Sequence, residues 1–186
     1  MKKIVTPAEA LRLLQAKALT KEYYATSNFA WIELMTDCSG AIPDIQDLNY
    51  ALVLLKMMEI YRAKLFNNAA ITITCGFRSM ASHEAVYKKI NAKRLSQGLK
   101  PLKIPLSSKH LINKKIKGKA IDFKVAGMPH KLVYEKLDVY HFGGLEIRAD
   151  GLHADNRPFI WRGNDNGLTL KDKYNSVEHN KLFTSK

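Results

Sequence analysis

The chain has 186 residues, of which 46% are hydrophobic, and a formal net charge of +13. This length and apolar content suit one domain with a sizeable core. The most apolar stretch, Tyr50 to Ile60, is interrupted by Lys56 and is too short to cross a bilayer, so no membrane span is expected. The opening MKKIVTPAEALRLLQAK lacks the continuous apolar segment of a signal peptide, so we expect cytoplasmic synthesis without one.

Two helices and a strand are predicted in the first half of the chain. Thr6 can cap a helix whose first residue is Pro7, with Glu9 closing a capping box. A long helix is expected over 44–66, opened by an aspartate, with apolar side chains at helical spacing toward the core. The β-branched run AITIT over 70–74 predicts a strand.

Helices and strands are also predicted in the second half. Gly98 ends a basic amphipathic helix, and Asp150-Gly151 is typical of a hairpin turn. The elements expected are that helix (81–97), a strand (120–125), a short helix (129–137), a strand (152–155) and a further strand (159–161). We therefore expect one α+β domain over 1–163, with helices packed around a small antiparallel sheet. A polar tail over 164–186 would pack on this domain or extend from it.

The two cysteines, Cys38 and Cys75, form no CxxC pair and no cluster with other metal-binding residue types. We interpret both as reduced, buried thiols. Neither is therefore a candidate site residue.

Basic side chains are unevenly distributed along the chain. Between Ala85 and Ile121 there are eleven Lys and Arg residues and no Asp or Glu. A surface of this kind attracts polyanions, either nucleic acid or an anionic surface such as a bacterial wall. A solvated helix and loop without any such partner explains the charge equally well.

The segment SSKHLINKKIKGKAIDF places His110 and Asp122 on either side of a glycine turn that leads into a predicted strand. His153 and Asp155 lie two positions apart on another strand and therefore share one face. Two imidazoles and one carboxylate are a common catalytic zinc set with an open fourth position. Such a metal polarises a carbonyl and activates water. Asp150, three residues before His153, is a candidate base.

Each of these residues also has an ordinary explanation. Asp150 can simply form the hairpin turn. His153 and Asp155 can be the exposed polar face of an edge strand, and Arg78 can be a surface ion-pair partner. Only the combination of residues favours a site.

Five segments in consistent order, from about Asn28 to Trp161, carry a resemblance: NFAWIELMTDCSG, ITITCGFRS, SKHL with KGKAIDF, GGLEI, and DGLHADNRPFIW. The third is similar to the motif S-x-H-x-x-G-x-A-x-D, and the last is similar to an acid-x-x-His-x-Asp ending. Together they resemble the zinc D-alanyl-D-alanine carboxypeptidases and related peptidoglycan endopeptidases, whose fold is shared with the hedgehog signalling domain. The resemblance implies that fold and metal-assisted amide hydrolysis.

The resemblance also implies roles for individual side chains. Asp150 would be the general base, which takes a proton from the attacking water and returns it to the leaving amine. Arg78 would bind substrate and stabilise its carbonyl as the carbon becomes tetrahedral. Ser108 would contact substrate, and Asp155 would orient a histidine. The implied ligands of Zn²⁺ are His110, Asp122 and His153.

Two departures from the family pattern bear on these expectations. Five residues, Ile112 to Ile116, are extra between the first histidine and the aspartate. We expect them to bulge outward, since loop-closure entropy grows only slowly with length. Glu146 and Arg148 stand where the family often has glycine and an aromatic residue, which is expected to alter the substrate groove.

The resulting hypothesis is a zinc metallopeptidase that hydrolyses peptidoglycan stem peptides, as a D,D-carboxypeptidase or as an L,D- or D,D-endopeptidase. The basic surface would hold it near anionic wall polymers. Without a signal peptide it would reach the cell wall after release or holin-type export, as a bacteriophage lysis enzyme (endolysin) does. We expect a monomer.

Two other hypotheses stay open. A metal-free relative that acts as a binding or structural module would explain the extra residues and the lost glycine. A nucleic-acid-binding protein would explain the acid-free stretch and would bind with an affinity that falls steeply with salt. Only Tyr87 interleaves with the basic residues there, so nucleic acid is not the partner we expect.

Overall fold

The computed structural model describes residues 1–113 and 115–164 of the chain. This part contains four α-helices: α1 (Pro7–Gln15), α2 (Ile45–Lys64), α3 (Met80–Ser96) and α4 (His130–Asp138). A 3₁₀ helix, Trp31–Leu34, precedes α2. The predicted tail over 164–186 lies, except for Asn164, outside the described residues.

Seven strands form two sheets within the described residues. β1 (Lys3–Ile4) and β2 (Tyr23–Tyr24) are a short parallel pair near the N-terminus. The main sheet has the strand order β3-β4-β6-β5-β7. Its strands are β3 (Ile71–Cys75), β4 (Ala120–Val125), β5 (Gly144–Arg148), β6 (Gly151–Asp155) and β7 (Trp161–Asn164).

The main sheet is antiparallel except at one edge, where β5 and β7 are parallel. β5 and β6 form a hairpin, and the chain reverses again after β6. A strand that then pairs with the far side of β5 must run in the same direction as β5. The predicted class, one α+β domain with helices around a small sheet, is confirmed, and the parallel edge pair is an addition to it.

The helices begin where the sequence supplies capping residues. Thr6 Oγ1 accepts a hydrogen bond from the Glu9 backbone N–H at 3.2 Å. The Asp44 carboxylate accepts one from the Asp47 N–H at 2.7 Å, and Asp47 returns the interaction in a capping box. The Glu9 carboxylate pairs with Arg12 one turn later instead of closing the predicted capping box. These local interactions explain why the predicted helix starts agree closely with the observed ones.

The main sheet has a core face and a polar face. On β4, Ile121 and Phe123 are buried in the core, while Asp122 between them points to the other face. His153 on β6 likewise alternates with core residues. The helices contribute to the same core through side chains that include Ala10, Leu48, Leu55, Met58, Val133 and Leu137. The period of two along the strands therefore gathers the polar side chains on one face.

Two further expectations from composition agree with the structure. Within the described residues, no helix combines the length and the apolarity that crossing a bilayer requires. Cys38 and Cys75 are buried, unpaired thiols. Burial raises the pKa of Cys38 to about 12, so this thiol is protonated at neutral pH.

Candidate metal centre

The three predicted zinc ligands lie together on the polar face of the sheet. Asp122 on β4 is directly opposite His153 on β6 in the antiparallel register, and His110 reaches them from the loop before β4. His153 Nδ1 lies 2.9 Å from Asp122 Oδ1 and 3.2 Å from His110 Nε2. His110 Nε2 lies 3.3 Å from Asp122 Oδ1. Three ligand atoms from distant parts of the sequence thus face one point.

These separations suit a metal ion. Tetrahedral zinc with bonds of about 2.0–2.2 Å to nitrogen and oxygen has ligand atoms about 3.3–3.5 Å apart. The distances of 3.2 and 3.3 Å are close to this range, and the third, 2.9 Å, is somewhat shorter. Two imidazoles and a carboxylate also leave a fourth position open, as catalytic zinc sites do.

Hydrogen bonds on the outer side of each imidazole direct a lone pair inward. His110 Nδ1 lies 2.7 Å from the Gly76 carbonyl oxygen, to which only a protonated nitrogen can donate. His153 Nε2 lies 3.2 Å from Asp155 Oδ2 and donates to that carboxylate. The facing atoms, His110 Nε2 and His153 Nδ1, are therefore acceptors when the rings are neutral. Asp155 makes the histidine contact that the resemblance implies.

The electrostatics of this cluster favour a positive charge at its centre. Burial lowers the pKa of His110, although Asp122 acts in the opposite direction. Burial raises the pKa of Asp122, but the two histidines outweigh this and hold the pKa well below its usual value. Burial lowers the pKa of His153, whereas its bonds to Asp122 and Asp155 raise it overall. Crowded acceptor atoms of this kind repel one another unless a proton or a metal cation lies between them.

The loop that carries His110 is fixed by backbone hydrogen bonds to the turn after β3. The Arg78 N–H donates to the His110 carbonyl at 2.7 Å, and the Ile112 N–H donates to the Arg78 carbonyl at 3.2 Å. Ile112 is 4% exposed and belongs to the core. The predicted outward bulge over 112–116 is therefore wrong at its first residue, because that side chain is apolar and packs inside. The exposed part of the loop begins at Asn113.

A buried ion pair closes this loop and leads the chain into β4. Lys119 Nζ lies 2.6 Å from Asp47 Oδ1, and the two side chains are 0% and 3% exposed. The same ammonium donates to the Leu111 carbonyl. The other Asp47 oxygen accepts from the Asn113 N–H at 2.7 Å. The loop is thus tied at both ends to one aspartate of α2, and Asp122 returns to within ligand distance.

Cys75 is a rival donor that the sequence pattern did not indicate. Cys75, His110 and Asp122 have potential ligand atoms within 4.8 Å of one another. The sulfur, however, lies 3.7 Å from His110 Nδ1, the nitrogen already bonded to a backbone carbonyl. It also accepts a hydrogen bond from Arg78 Nη2 at 2.9 Å. Burial raises the pKa of the thiol, whereas a metal needs the thiolate, so we favour His153 as the third ligand.

A groove of 500 Å³ opens beside the cluster. His110 and His153 line it, and so do the predicted substrate contacts Arg78 and Ser108. Its other walls include basic and aromatic side chains: Tyr87, Lys109, Arg148, Arg157, Phe159 and Trp161. Both predicted substrate contacts therefore share one opening with two of the proposed ligands.

Asp150, the predicted base, lies at the exposed tip of the β5–β6 hairpin. It lines a second cavity of 230 Å³ together with Asp122 and Arg78. The two histidines line the larger groove instead. Asp150 is thus close to one proposed ligand, and its role as base stays a prediction.

Glu146 is a second carboxylate beside the site and a candidate base that the sequence motifs did not indicate. It lies directly opposite His153 in the register of β5 and β6 and lines the groove. The hairpin could have revealed it. Gly151 pairs with Arg148 across a two-residue loop, and counting back along the strands pairs Glu146 with His153.

Arg148 makes a contact that the sequence did not predict. Its Nη1 lies 3.0 Å from Asp122 Oδ1. Its Nε and Nη2 donate to Glu146 Oε2 at 3.0 and 2.7 Å. Burial lowers the pKa of Arg148, but the two carboxylates raise it overall, so this guanidinium is a permanent cation next to the proposed ligands.

The fold and the cluster together define an α+β domain with a His–Asp–His set on the polar face of its sheet. Comparison of the chain with protein-family models, with curated protein sequences and with solved structures finds no match. Any assignment of function therefore rests on the geometry of this site and on the sequence motifs that led to it.

Proposed function

We propose that the protein is a zinc-dependent peptidase that hydrolyses amide bonds in peptidoglycan stem peptides, as a carboxypeptidase or an endopeptidase. The observation that carries the proposal is the convergence of His110 Nε2, Asp122 Oδ1 and His153 Nδ1 to within 3.3 Å of one another. The order and spacing of the motifs, which resemble those of the zinc carboxypeptidase family, supply the choice of substrate.

The three side chains would hold the ion, and Asp155 would keep the His153 ring in the tautomer that binds it. A bound zinc ion would supply a Lewis acid that activates water and polarises the scissile carbonyl. The protein side chains must then bind the peptide, stabilise the charge that develops and move one proton.

Arg78 would stabilise that developing charge. Its Nη2 lies 4.0 Å from Asp122 Oδ2, beside the proposed ligands. Its Nε is buried and has no hydrogen-bond partner among the described residues. Since a buried unpaired N–H costs free energy, a substrate carbonyl oxygen that accepts from this guanidinium gains a strong interaction in the transition state.

Two carboxylates are candidates for the proton transfer. Asp150 is exposed and shares a cavity with Asp122, while Glu146 faces His153 across the hairpin. We propose Asp150 as the base, because Glu146 is already paired with Arg148 at 2.7 Å. The base would accept a proton from the attacking water and donate it to the leaving amine.

The groove suits an anionic peptide. Its walls carry Lys109 and Arg157, with Phe159 and Trp161 beside them. Stem peptides bear free carboxylates, and basic side chains pair with carboxylates through charge-assisted hydrogen bonds. Action on the wall as a phage lysis enzyme, after release or holin-type export, belongs to the same proposal.

Digestion of purified peptidoglycan, with and without a chelator and with mass analysis of the fragments, tests the proposal. We expect chelator-sensitive release of peptide fragments whose masses identify the bond. His153→Ala should lower the rate by more than about 100-fold, because loss of a ligand costs more than the roughly 10–100-fold effect of changing a residue that only contacts a ligand. His130→Ala, a histidine on α4, is the matched control and should retain activity. Fragment release that survives both the chelator and His153→Ala would overturn the proposal.

The same assay separates the two candidate bases. Asp150→Asn removes a group that transfers protons, an effect worth about 10²–10⁴-fold, while metal binding should persist. If Glu146→Gln instead abolishes hydrolysis and Asp150→Asn does not, the base is Glu146.

A further inference from the structure

We propose that Arg148 is an internal counter-cation that competes with the metal for Asp122 and so sets the metal affinity of the site. The inference rests on the proposed function, since it concerns the same three ligands. It also gives a shared role to Glu146 and Arg148, which stand where the family that the chain resembles often has glycine and an aromatic residue.

The competition follows from a shared atom. Arg148 Nη1 lies 3.0 Å from Asp122 Oδ1. That oxygen is the one that lies 2.9 Å from His153 Nδ1 and 3.3 Å from His110 Nε2. The guanidinium therefore supplies positive charge to the same carboxylate oxygen that a bound cation would use.

A metal and this guanidinium repel each other. An ion bound between the three ligand atoms would lie about 2 Å from Asp122 Oδ1. The guanidinium nitrogen is 3.0 Å from the same oxygen, so the two positive charges would be at most about 5 Å apart. Like charges at this distance in a partly buried site weaken each other's binding. Metal binding must displace Arg148 Nη1 or tolerate the repulsion.

Glu146 would keep the Arg148 guanidinium bound when a metal ion occupies Asp122. Its Oε2 accepts from Nε and Nη2, which leaves only Nη1 on Asp122. The Arg148 side chain is 31% exposed, so Nη1 can turn toward the groove. The displaced Nη1 group would then face the substrate, where it can donate a hydrogen bond to a peptide carboxylate.

The experiment measures the zinc dissociation constant of the full chain by competition with a chromogenic chelator. Arg148→Met keeps an unbranched apolar stem and removes the guanidinium with its charge. We expect it to bind zinc on the order of tenfold more tightly than the wild type, the scale of changes next to metal ligands. Arg148→Lys keeps the charge and should bind about as the wild type does. Arg12→Met, on the exposed face of α1, is the matched control and should change nothing.

The outcomes separate this inference from the proposed function. Equal affinity of the wild type and Arg148→Met overturns the inference and leaves the peptidase proposal standing. Stoichiometric zinc in Arg148→Met but not in the wild type supports the inference and overturns the peptidase proposal, because the chain would then be a metal-free relative. Zinc binding by neither protein overturns both. If circular dichroism shows that Arg148→Met does not fold, Arg148→Gln replaces it with the same expectation, because this variant keeps a polar side chain and removes the charge.

Discussion

At the scale of single residues, the tautomer of each histidine on or beside the polar face is set by the hydrogen bonds that its ring nitrogens make inside the protein. A carbonyl of Gly76 fixes His110, and the carboxylate of Asp155 fixes His153. His141 differs, because its Nδ1 accepts a hydrogen bond from the Tyr61 hydroxyl at 3.3 Å and its Nε2 is bonded to backbone carbonyls. Its Nε2 donates to the carbonyls of Gly144 and Asp155, at 3.0 and 2.9 Å. The neutral ring is therefore satisfied, and the residue supports the open end of the β5–β6 hairpin, where Gly144 pairs with Asp155.

Protonation of His141 links stability to pH. Burial, followed by repulsion from Arg162, lowers the pKa of His141 from about 6.5 to about 4 in the folded protein. The unfolded chain therefore binds a proton over this interval that the folded chain does not, so stability falls as the pH drops from about 6.5 toward 4. This group should contribute about 2 kcal/mol to the loss in unfolding free energy between pH 7.5 and pH 5.

Urea denaturation with chelator present, at both pH values, measures this contribution. His141→Gln keeps a hydrogen-bonding side chain but cannot titrate. The loss of unfolding free energy between the two pH values should be smaller in the variant by that amount. An identical loss in both proteins would show that His141 is not responsible.

At the scale of elements, local signals predicted far more than long-range ones did. The strand 120–125 is found with its predicted bounds, and capping residues located α1 and α2. The period of two along that strand accounts for the position of Asp122 away from the core, and the two-residue hairpin loop implies the register that pairs Glu146 with His153. Contacts of Cys75 and Arg148 with the site could not be read in this way. They depend on the strand order β3-β4-β6-β5, which no local pattern specifies.

The loop between His110 and Asp122 shows the same limit. Its lysines predicted a solvated surface, yet Lys119 is fully buried against Asp47, an α2 residue. Removal of one partner of a buried ion pair leaves an uncompensated charge inside the protein. We expect Lys119→Met to lower the unfolding free energy by about 3–5 kcal/mol. Lys117→Met, an exposed lysine of the same loop, should have little effect.

Urea denaturation of both variants checks this expectation. The double variant Asp47→Asn with Lys119→Met removes both charges and should recover part of the loss, because no unpaired ion remains buried. A small loss in Lys119→Met alone would mean that this ion pair does not hold the loop.

At the scale of the whole molecule, the fold separates packing from chemistry. One face of the main sheet lies against the core, and the other carries the His–Asp–His set and the groove. α3 contributes His83 and Tyr87 to this groove and exposes its lysines. The acid-free stretch thus runs from the groove wall over the adjoining surface. A substrate attached to an anionic polymer would meet positive charge before it met the site.

This arrangement predicts that wall binding depends on α3 and not on net charge alone. Attraction between exposed charges is screened by salt, so binding of His153→Ala to purified cell walls should weaken as sodium chloride rises from about 0.05 M to about 0.5 M. Reversal of three exposed charges on α3, Lys88→Glu, Lys89→Glu and Lys93→Glu, should weaken binding at low salt. The matched control carries the same net charge through three exposed lysines elsewhere, Lys2→Glu, Lys21→Glu and Lys131→Glu.

Sedimentation of the protein with wall fragments measures the bound fraction, and duplex DNA in the same buffers serves as a competitor. Equal weakening by the two triple variants would mean that total charge, not the α3 surface, governs adhesion. Displacement from walls by DNA at lower concentration than by wall polymer would favour the nucleic-acid hypothesis instead. We expect the α3 variant to lose binding while the control keeps most of it, because the lysines next to the groove are those that an anionic wall chain contacts when its peptide lies in the site.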